Sequence, residues 1–324
     1  MQEMMLARAK ALLQSGDVQR VLGWQTGEFV YDVTPAVFET PEELDAKFVY
    51  NDFCGSNLSK YLVKESRKEG RVLVFLKPCD TYSFNQLIKE HRIVRENIYV
   101  IGVPCAGKTD GETLKALGLK GILGVKDAGD SFTVETLYGE KTVSKQEALP
   151  ERCRSCKSHK HMVYDELLGE EGEVLDSHRF DMVEKIESMS ADERFAFWQG
   201  ELSRCIRCNA CRNVCPACTC EKCVFDNENS GIAQKAAADS FEESMFHIIR
   251  AFHVAGRCTD CGECSRVCPQ NIPLHLLNRK FIKDINTFYG AYQAGEDTES
   301  RAPLTNYTKG DVEPSIVYHK GGEK

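Results

Sequence analysis

The sequence predicts an α/β domain with a mostly parallel sheet over residues 1–180, a helix-rich domain over residues 181–288 and an extended tail over residues 289–324. Three observations lead to this fold class. Two strand-like runs in the first half flank a helical periodicity, as in a βαβ unit. The second half carries two copies of C-x2-C-x2-C-x3-C-P among helical segments. After Gly290 the apolar pattern fades.

The first fifty residues carry structural signals only. Residues 4–14 repeat apolar side chains at helical spacing, and Gly16 can end that helix. Strand-like pieces follow over residues 18–24 and 28–33. Thr40, Pro41 and Glu43 then supply an N-cap, a proline at the first helical position and an acidic third position, which together predict a short helix.

A βαβ unit follows over residues 71–103. RVLVFLK at 71–77 and IYVIGV at 98–103 are the predicted strands, and residues 82–94 have the periodicity of a crossover helix. Each strand is followed by a Pro-Cys pair, which places Cys79 and Cys105 at equivalent strand ends. Neighbouring parallel strands bring both pairs to one carboxyl edge of the sheet. This repetition favours ligands of a shared site over two unrelated buried thiols.

Residues 102–109 match the nucleotide-binding pattern G-x4-G-K-S/T through Gly102, Gly107, Lys108 and Thr109, and a predicted helix over 112–119 follows. One hypothesis is therefore a loop for nucleoside triphosphate hydrolysis, and another is a cradle for the pyrophosphate of FAD. A Pro-Cys pair occupies the loop where backbone N–H groups would wrap phosphate, and no strand ending in Asp offers a magnesium ligand. Both features disfavour hydrolysis.

Cys153 and Cys156 form a single C-x2-C in a polar stretch, which alone fits a redox pair, a zinc half-site or a cluster half-site. Joined to Cys79 and Cys105, it completes the four thiolates that a 4Fe-4S cluster needs. The strand and helix that usually surround a redox C-x2-C are missing. We expect the nearby His159 and His161 to be exposed and do not assign them as ligands.

The two full cysteine motifs are the signature of a paired 4Fe-4S protein. The first three cysteines of each motif ligate one cluster. The fourth cysteine, just before a proline, ligates the cluster of the other motif. One predicted ligand set is Cys205, Cys208, Cys211 and Cys268, and the other is Cys258, Cys261, Cys264 and Cys215. Zinc is the alternative, but zinc needs four ligands only and does not require the x3-C-P ending.

Helices are predicted around these motifs. Residues 181–204 should be helical, with Ser190 and Glu193 as a capping box. A second helix is predicted over 241–255, and a third over 273–286. We expect the polar tail after Gly290 to be disordered or to lie along a partner.

Four cysteines remain after these assignments. Cys218, Cys220 and Cys223 stand too close together for all three thiols to enter an apolar core. One hypothesis is that they hold a fourth metal centre together with a distant thiol such as Cys54. A structural zinc and unused thiols are the alternatives.

Composition limits the function classes. With 324 residues and 42% hydrophobic content, the chain has enough material for two domains. The net charge of −8 argues against nucleic acid or an acidic membrane surface as the main partner. The N-terminus has no signal-peptide apolar region and no membrane-spanning run is present, so we expect a reduced, soluble, cytoplasmic protein without membrane insertion.

The first half resembles the beta subunit family of coenzyme F420-reducing hydrogenases and dehydrogenases, which includes formate dehydrogenase beta subunits. The resemblance rests on PAVFETPEELDAKF, VLVFLKPCDTYSFNQL, IYVIGVPCAGK, CRSC and YDELLGEE, within residues 30–175. It implies that Cys79, Cys105, Cys153 and Cys156 hold a third cluster. It also implies that FAD can be bound and that electrons pass to or from a deazaflavin.

Residues 181–324 resemble the dicluster module of heterodisulfide reductase C-type subunits and of succinate dehydrogenase iron-sulfur subunits. The two resemblances together favour an electron-transfer subunit of an anaerobic oxidoreductase. Its expected partners are a catalytic subunit of formate dehydrogenase or hydrogenase, and a heterodisulfide reductase-like flavin and iron-sulfur subunit. The alternatives are an FAD enzyme acting on a deazaflavin or similar two-electron carrier, and a reductase driven by nucleoside triphosphate. No catalytic residues are assigned.

Overall fold

The computed structural model describes residues 1–175, 178–227 and 240–305. The strands of the first domain are β1 (Arg20–Thr26), β2 (Val33–Phe38), β3 (Val72–Leu76), β4 (Ile98–Gly102), β5 (Ile122–Asp127), β6 (Ser131–Thr136), β7 (Gly139–Ser144) and β8 (Glu166–Leu167). The larger sheet has the order β2-β1-β3-β4-β8. All its neighbours are parallel except β1 and β2. The predicted α/β class with a mostly parallel sheet is confirmed.

Helices cover this sheet and connect its strands. Those of the first domain are α1 (Gln2–Ser15), α2 (Pro41–Lys47), α3 (Leu62–Glu65), α4 (Pro78–Lys89), α5 (Gly111–Ala116), α6 (Lys145–Ala148) and α7 (Glu151–Arg154). Gly16 ends α1 in the left-handed conformation, and the Thr40 hydroxyl caps α2 by accepting from the Glu43 N–H, both as predicted. The core lies under the central strands, where every residue of β3 is buried.

The predicted βαβ unit is present as β3-α4-β4. Leu76 and Gly102, the last residues of the two strands, lie opposite each other in the parallel register. Both Pro-Cys pairs therefore leave the sheet at the same edge. Pro78 is the first residue of α4, where its missing N–H costs nothing, so Cys79 belongs to the first turn of the helix.

One local prediction is wrong, and one small sheet was not predicted. The strand predicted over residues 28–33 is wrong, because residues 27–32 reverse the chain between β1 and β2, closed by hydrogen bonds from Gly27 N to Asp32 O and from Asp32 N to Phe29 O. Of residues 28–33, only Val33 lies in a strand, as the first residue of β2. The antiparallel sheet β5-β6-β7 was not predicted. Phe132, Val134 and Thr136 alternate inward along β6, so a period-2 signal existed there.

The second domain consists of helices and loops. Its helices are α8 (Asp181–Glu187), α9 (Ala191–Leu202), α10 (Ala210–Val214), α11 (Ser240–Val254), α12 (Glu263–Arg266) and α13 (Leu274–Tyr289). Ser190 and Glu193 form the predicted capping box of α9. α11 packs on α9 and α13, with Phe225 and Phe246 in ring contact at their centre. The predicted helix-rich domain is therefore confirmed.

Residues 290–305 cross back over the chain. The Tyr292 hydroxyl donates to Gly256 O over 3.0 Å, and Lys89 at the end of α4 contacts Asp297 over 3.6 Å. At Gly295 the backbone passes so close to α4 that a Cβ would stand 1.8 Å from the Tyr82 carbonyl oxygen. The described start of the predicted tail thus packs on both domains, and residues 306–324 lie outside the described residues.

None of the helices in the described part of the chain has both the length and the apolar composition required to span a bilayer.

Replacing Phe75 by Ala should destabilise the first domain by about 3–5 kcal/mol, because the ring is fully buried in β3 and packs against Phe48. Anoxic urea unfolding of the cluster-loaded protein measures this. Phe29→Ala is the matched control, since that ring is 53% exposed, and it should change the free energy of unfolding by less than about 0.5 kcal/mol. Equal effects of the two changes would contradict the core described here.

Candidate iron-sulfur sites

Four thiols of the first domain line one cavity, termed here the strand-edge cavity: Cys79, Cys105, Cys153 and Cys156. Two of them come from the Pro-Cys turns at the carboxyl edge of the sheet, and two from α7 and the turn that follows it. The structure thus brings together two cysteine pairs that lie far apart in sequence. Four thiols around one space form the donor set that a 4Fe-4S cluster requires.

Buried cations surround the strand-edge cavity. Arg152, Lys157 and Arg279 line it. Arg152 has only 7% of its side chain exposed, and its Nε and Nη2 atoms have no hydrogen-bond partner. Lys157 donates to Thr259 O of the second domain and lies 4.1 Å from the centre of the Tyr82 ring. These positive groups suit a site that binds several thiolates, whose negative charge they offset.

The eight thiols of the two full motifs divide between two cavities. The outer dicluster cavity is lined by Cys205, Cys208, Cys211 and Cys268, and the inner dicluster cavity by Cys215, Cys258, Cys261 and Cys264. Each cavity therefore takes three thiols from one motif and the fourth from the other. The crossing arises because α10 carries Cys211 on one cavity and ends at Cys215 on the other.

The inner dicluster cavity adjoins the strand-edge cavity. Asp260 and Cys261 line both of them. The outer dicluster cavity is connected to the inner one through α10, which carries Cys211 and ends at Cys215, and its Cys208 is exposed. The three cavities therefore form a series from the sheet edge of the first domain to the surface of the second domain.

Two carboxylates near the shared wall are held ionised. Burial opposes the charge of Glu151, but the hydrogen bond from His275 and the charge of Arg279 outweigh it and lower the pKa of this carboxyl to about 2. Burial likewise opposes the charge of Asp260, and Arg279 is the largest of the groups that lower its pKa. Both groups stay charged at neutral pH, so the contacts of Arg279 with them are ion pairs.

The remaining thiols are not gathered at one place. Cys54 is fully buried in the core of the first domain, where its sulfur accepts from Asn51 N. Cys218 packs beside Cys215 and Cys258, Cys223 packs in the core around Phe225 and Phe246, and Cys220 is exposed. The hypothesis of a fourth centre joined to Cys54 gains no support from these positions.

Across residues 1–175, 178–227 and 240–305, no three Cys, His, Asp or Glu side chains converge closely enough to hold a single metal ion. This geometry gives no support to zinc at any of the cysteine groups.

The predicted phosphate loop is engaged within the protein. Lys108 Nζ donates to Asn51 O over 2.9 Å and lies 4.2 Å from the centre of the Tyr50 ring. The Thr109 hydroxyl donates to Ala148 O. Gly107 has φ of 112° and faces Leu149, and Gly102 ends β4. The side chains that would contact a nucleotide are thus satisfied by backbone carbonyls.

A large groove lies beside this turn. It encloses about 950 Å³ between α5 with the β5-β6-β7 sheet on one side and the start of α13 on the other. Apolar side chains such as Tyr31 and Phe53 line it together with Arg152 and Arg266. Since Arg152 also lines the strand-edge cavity, one side chain separates the groove from the third group of thiols.

His161 was expected to be exposed, and this is wrong. Its side chain is buried, with Nδ1 2.8 Å from Glu171 Oε1 and Nε2 3.2 Å from Val103 O. It therefore braces the end of β4. His159 is half-buried and lines the strand-edge cavity. Neither role has a local signal, because both depend on the fold of the loop over β4.

Comparisons with known proteins agree with this geometry. The family model described as a 4Fe-4S dicluster domain matches residues 201–272. The beta subunit of an F420-dependent formate dehydrogenase from Methanocaldococcus jannaschii is 26% identical, with 92% of each chain aligned. The corresponding beta subunit of formate dehydrogenase 1 from Methanococcus maripaludis is 24% identical, with 91% of each chain aligned.

Among solved structures, a chain of the F420-reducing nickel-iron hydrogenase complex from Methanosarcina barkeri is similar, with a TM-score of 0.39 and 15% identity over 47% of this chain and 58% of that chain. The relatives named above align over nearly the whole sequence, and the dicluster match covers both full cysteine motifs. The chain is therefore similar over nearly its whole length to beta subunits of F420-dependent formate dehydrogenases, and its residues 201–272 match a 4Fe-4S dicluster domain.

Proposed function

We propose that this chain is the one-electron relay of an F420-linked oxidoreductase complex. The observation that carries the proposal is the series of three thiol-lined cavities, in which Cys261 and Asp260 belong to two neighbouring cavities at once. A cubane with four thiolate ligands supplies one-electron transfer and has no open position for a substrate. The chain accordingly conducts electrons and leaves substrate chemistry to a partner.

The ligand sets follow from the cavities. Cys205, Cys208, Cys211 and Cys268 hold the outer cluster, Cys215, Cys258, Cys261 and Cys264 hold the inner one, and Cys79, Cys105, Cys153 and Cys156 hold the third. Support for the third set comes from Arg152, which pairs with Glu263 through Nη1 but leaves its buried Nε and Nη2 without a hydrogen-bond partner, so further negative charge in the cavity would be accommodated there.

The partners are proposed from the relatives, which are named as subunits of F420-dependent formate dehydrogenases. These relatives support a catalytic subunit of formate dehydrogenase or hydrogenase as one partner; a heterodisulfide reductase-like flavin and iron-sulfur subunit, as a further or alternative partner, is proposed only from the resemblance of the dicluster module. A cytoplasmic location fits the sixteen cysteines, all of which are free of disulfides.

A second candidate function is favoured by the groove next to Arg152. FAD bound there would lie beside the strand-edge cavity and would exchange two-electron equivalents with a deazaflavin. Apolar walls suit an isoalloxazine ring, and the three arginines that line the groove, Arg152, Arg154 and Arg266, suit a pyrophosphate. In this second candidate function the flavin lies in the groove, and the turn from Gly107 to Thr109 is not its main binding site.

The third cluster is tested by metal content. The reconstituted chain should contain about twelve iron and about twelve sulfide per molecule, and Cys156→Ala should lower each to about eight. Cys54→Ala is the control and should leave the count unchanged. A count near sixteen that falls in Cys220→Ala would instead establish a fourth centre.

The crossed ligation is tested by two substitutions four residues apart. Cys211→Ala should abolish the electron paramagnetic resonance signal of the cluster that Cys268 completes, whereas Cys215→Ala should abolish the signal of the other dicluster centre. Each variant is the control for the other, because both lie at α10. Loss of one and the same signal in both variants would show that the fourth ligands are not exchanged.

The relay function is tested by turnover of the isolated, fully reconstituted chain with viologen as electron acceptor. Formate and hydrogen should give no activity, because cubanes with four thiolate ligands have no free coordination position at which either could react. Activity with either would overturn the proposal. Reduced deazaflavin oxidation by chain loaded with FAD, lost on Arg152→Ala, would instead select the flavin enzyme.

A further inference from the structure

The helix α11 buries two polar side chains beside the dicluster, among apolar ones. His247 and Arg250 are only 2% and 3% exposed, alongside Phe246 and Val254 at 1% each. Polar side chains are rarely so deeply buried without a specific contact. The two buried polar side chains therefore have a specific use, and the contacts of His247 show which one.

His247 lies in hydrogen-bond contact with a thiol of the outer dicluster cavity. Its Nε2 is 3.2 Å from Cys205 Sγ, and its Nδ1 is buried without a hydrogen-bond partner. The imidazole lines the cavity together with Phe246 of the same helix. Packing alone would not require a histidine here, because an apolar ring of similar size would avoid the cost of the unpaired Nδ1.

The chemistry of the ligand decides which ring nitrogen carries the proton. A cysteine that binds iron is a thiolate, which can only accept hydrogen bonds. The proton of the neutral imidazole must therefore be on Nε2, and it points at the sulfur. The backbone N–H of Arg207 donates to the same sulfur over 3.4 Å, so Cys205 accepts two hydrogen bonds.

Hydrogen bonds to cluster sulfurs are one of the factors that set a reduction potential. Reduction adds negative charge to the cluster and its thiolates, so a fixed N–H donor stabilises the reduced form more than the oxidised form. The low dielectric constant around a buried ring strengthens this effect. At the inner dicluster cavity the comparable side-chain donor is weaker, since Asn278 Nδ2 lies 3.7 Å from Cys264 Sγ.

We infer that His247 tunes the outer cluster: its Nε2–H donates to Cys205 Sγ and raises the reduction potential of that cluster. His247 is a positioning residue and not a ligand. Arg250 acts differently, because its Nη2 donates to Cys211 O and its charge reaches thiols of both dicluster cavities. The inference rests on the proposed function, which assigns a cluster to the thiols of the outer cavity.

The test is a redox titration of the reconstituted full chain, followed by electron paramagnetic resonance. His247→Leu and His247→Phe both remove the donor, and the second keeps the volume of a ring. Each should shift the midpoint of the outer cluster to a more negative potential and leave the other midpoints unchanged. His247→Gln restores an N–H donor and should recover part of the shift. Cys208→Ala identifies which signal belongs to the outer cluster.

Two further measurements complete the design. His253→Leu is the matched control, because this histidine is exposed on the same helix and should leave every midpoint unchanged. Electron–nuclear double resonance of the unsubstituted protein should show a strongly coupled exchangeable proton on the reduced outer cluster. This measurement needs no variant and remains decisive where a variant folds poorly.

The inference is overturned by an unchanged midpoint in His247→Leu and His247→Phe, or by the absence of the exchangeable proton coupling. It is also overturned when Cys205→Ala retains the outer cluster and His247→Leu loses it, since His247 would then be the ligand. Failure of the relay function is separate, because it would appear as no electron transfer between partners with the midpoints as expected.

Discussion

The buried guanidinium of Arg279 is the contact on which the alignment of the two domains depends. From α13 it donates to Asp260 Oδ1 over 2.7 Å, to Glu151 Oε1 over 2.7 Å and to the Ser155 hydroxyl over 2.8 Å. Glu151 and Ser155 lie within the segment that carries Cys153 and Cys156, and Asp260 lies between two thiols of the inner cavity. One side chain therefore holds two groups of ligands in register. Removing it would leave the buried Asp260 with Arg179 alone and the half-buried Glu151 with His275 alone, so we expect a loss of stability at the domain interface.

The buried cations of the strand-edge cavity also affect the stability of this domain alignment. Folding brings Arg152, Lys157 and four thiols into one poorly solvated place, although burying a charge without a partner is costly. Glu263 and Asp260 offset part of this charge, and thiolates of the proposed third cluster would add more, so that metal loading and closure of the domain interface would favour each other. The outer dicluster cavity has cations as well, since Arg207 lines it and the charge of Arg250 acts on Cys211.

The sequence was informative where the determinants are local. Cysteine spacing specified both dicluster sets, and the repeated Pro-Cys ending predicted that Cys79 and Cys105 meet, because neighbouring parallel strands share an edge. The Thr40 N-cap and the Ser190–Glu193 capping box were likewise predictable from adjacent residues. What escaped prediction depends on distant partners: His161 is buried by a loop that returns over β4, and His247 reaches Cys205 across 42 positions. The turn over residues 27–32 was missed because its apolar residues resemble those of a strand.

The close approach of the Gly295 backbone to that of Tyr82 determines when residues 290–305 can fold during synthesis. The carbonyl of Tyr82 forms half of that contact, so the seat for residues 290–305 exists only after α4 has folded onto β3. N-terminal domains generally fold first as the chain emerges. Residues 290–305 are synthesised after all sixteen cysteines. They can therefore pack last, when every thiol is already part of the chain. Any side chain at position 295 would keep residues 290–305 away from α4, so that this segment could no longer pack on both domains.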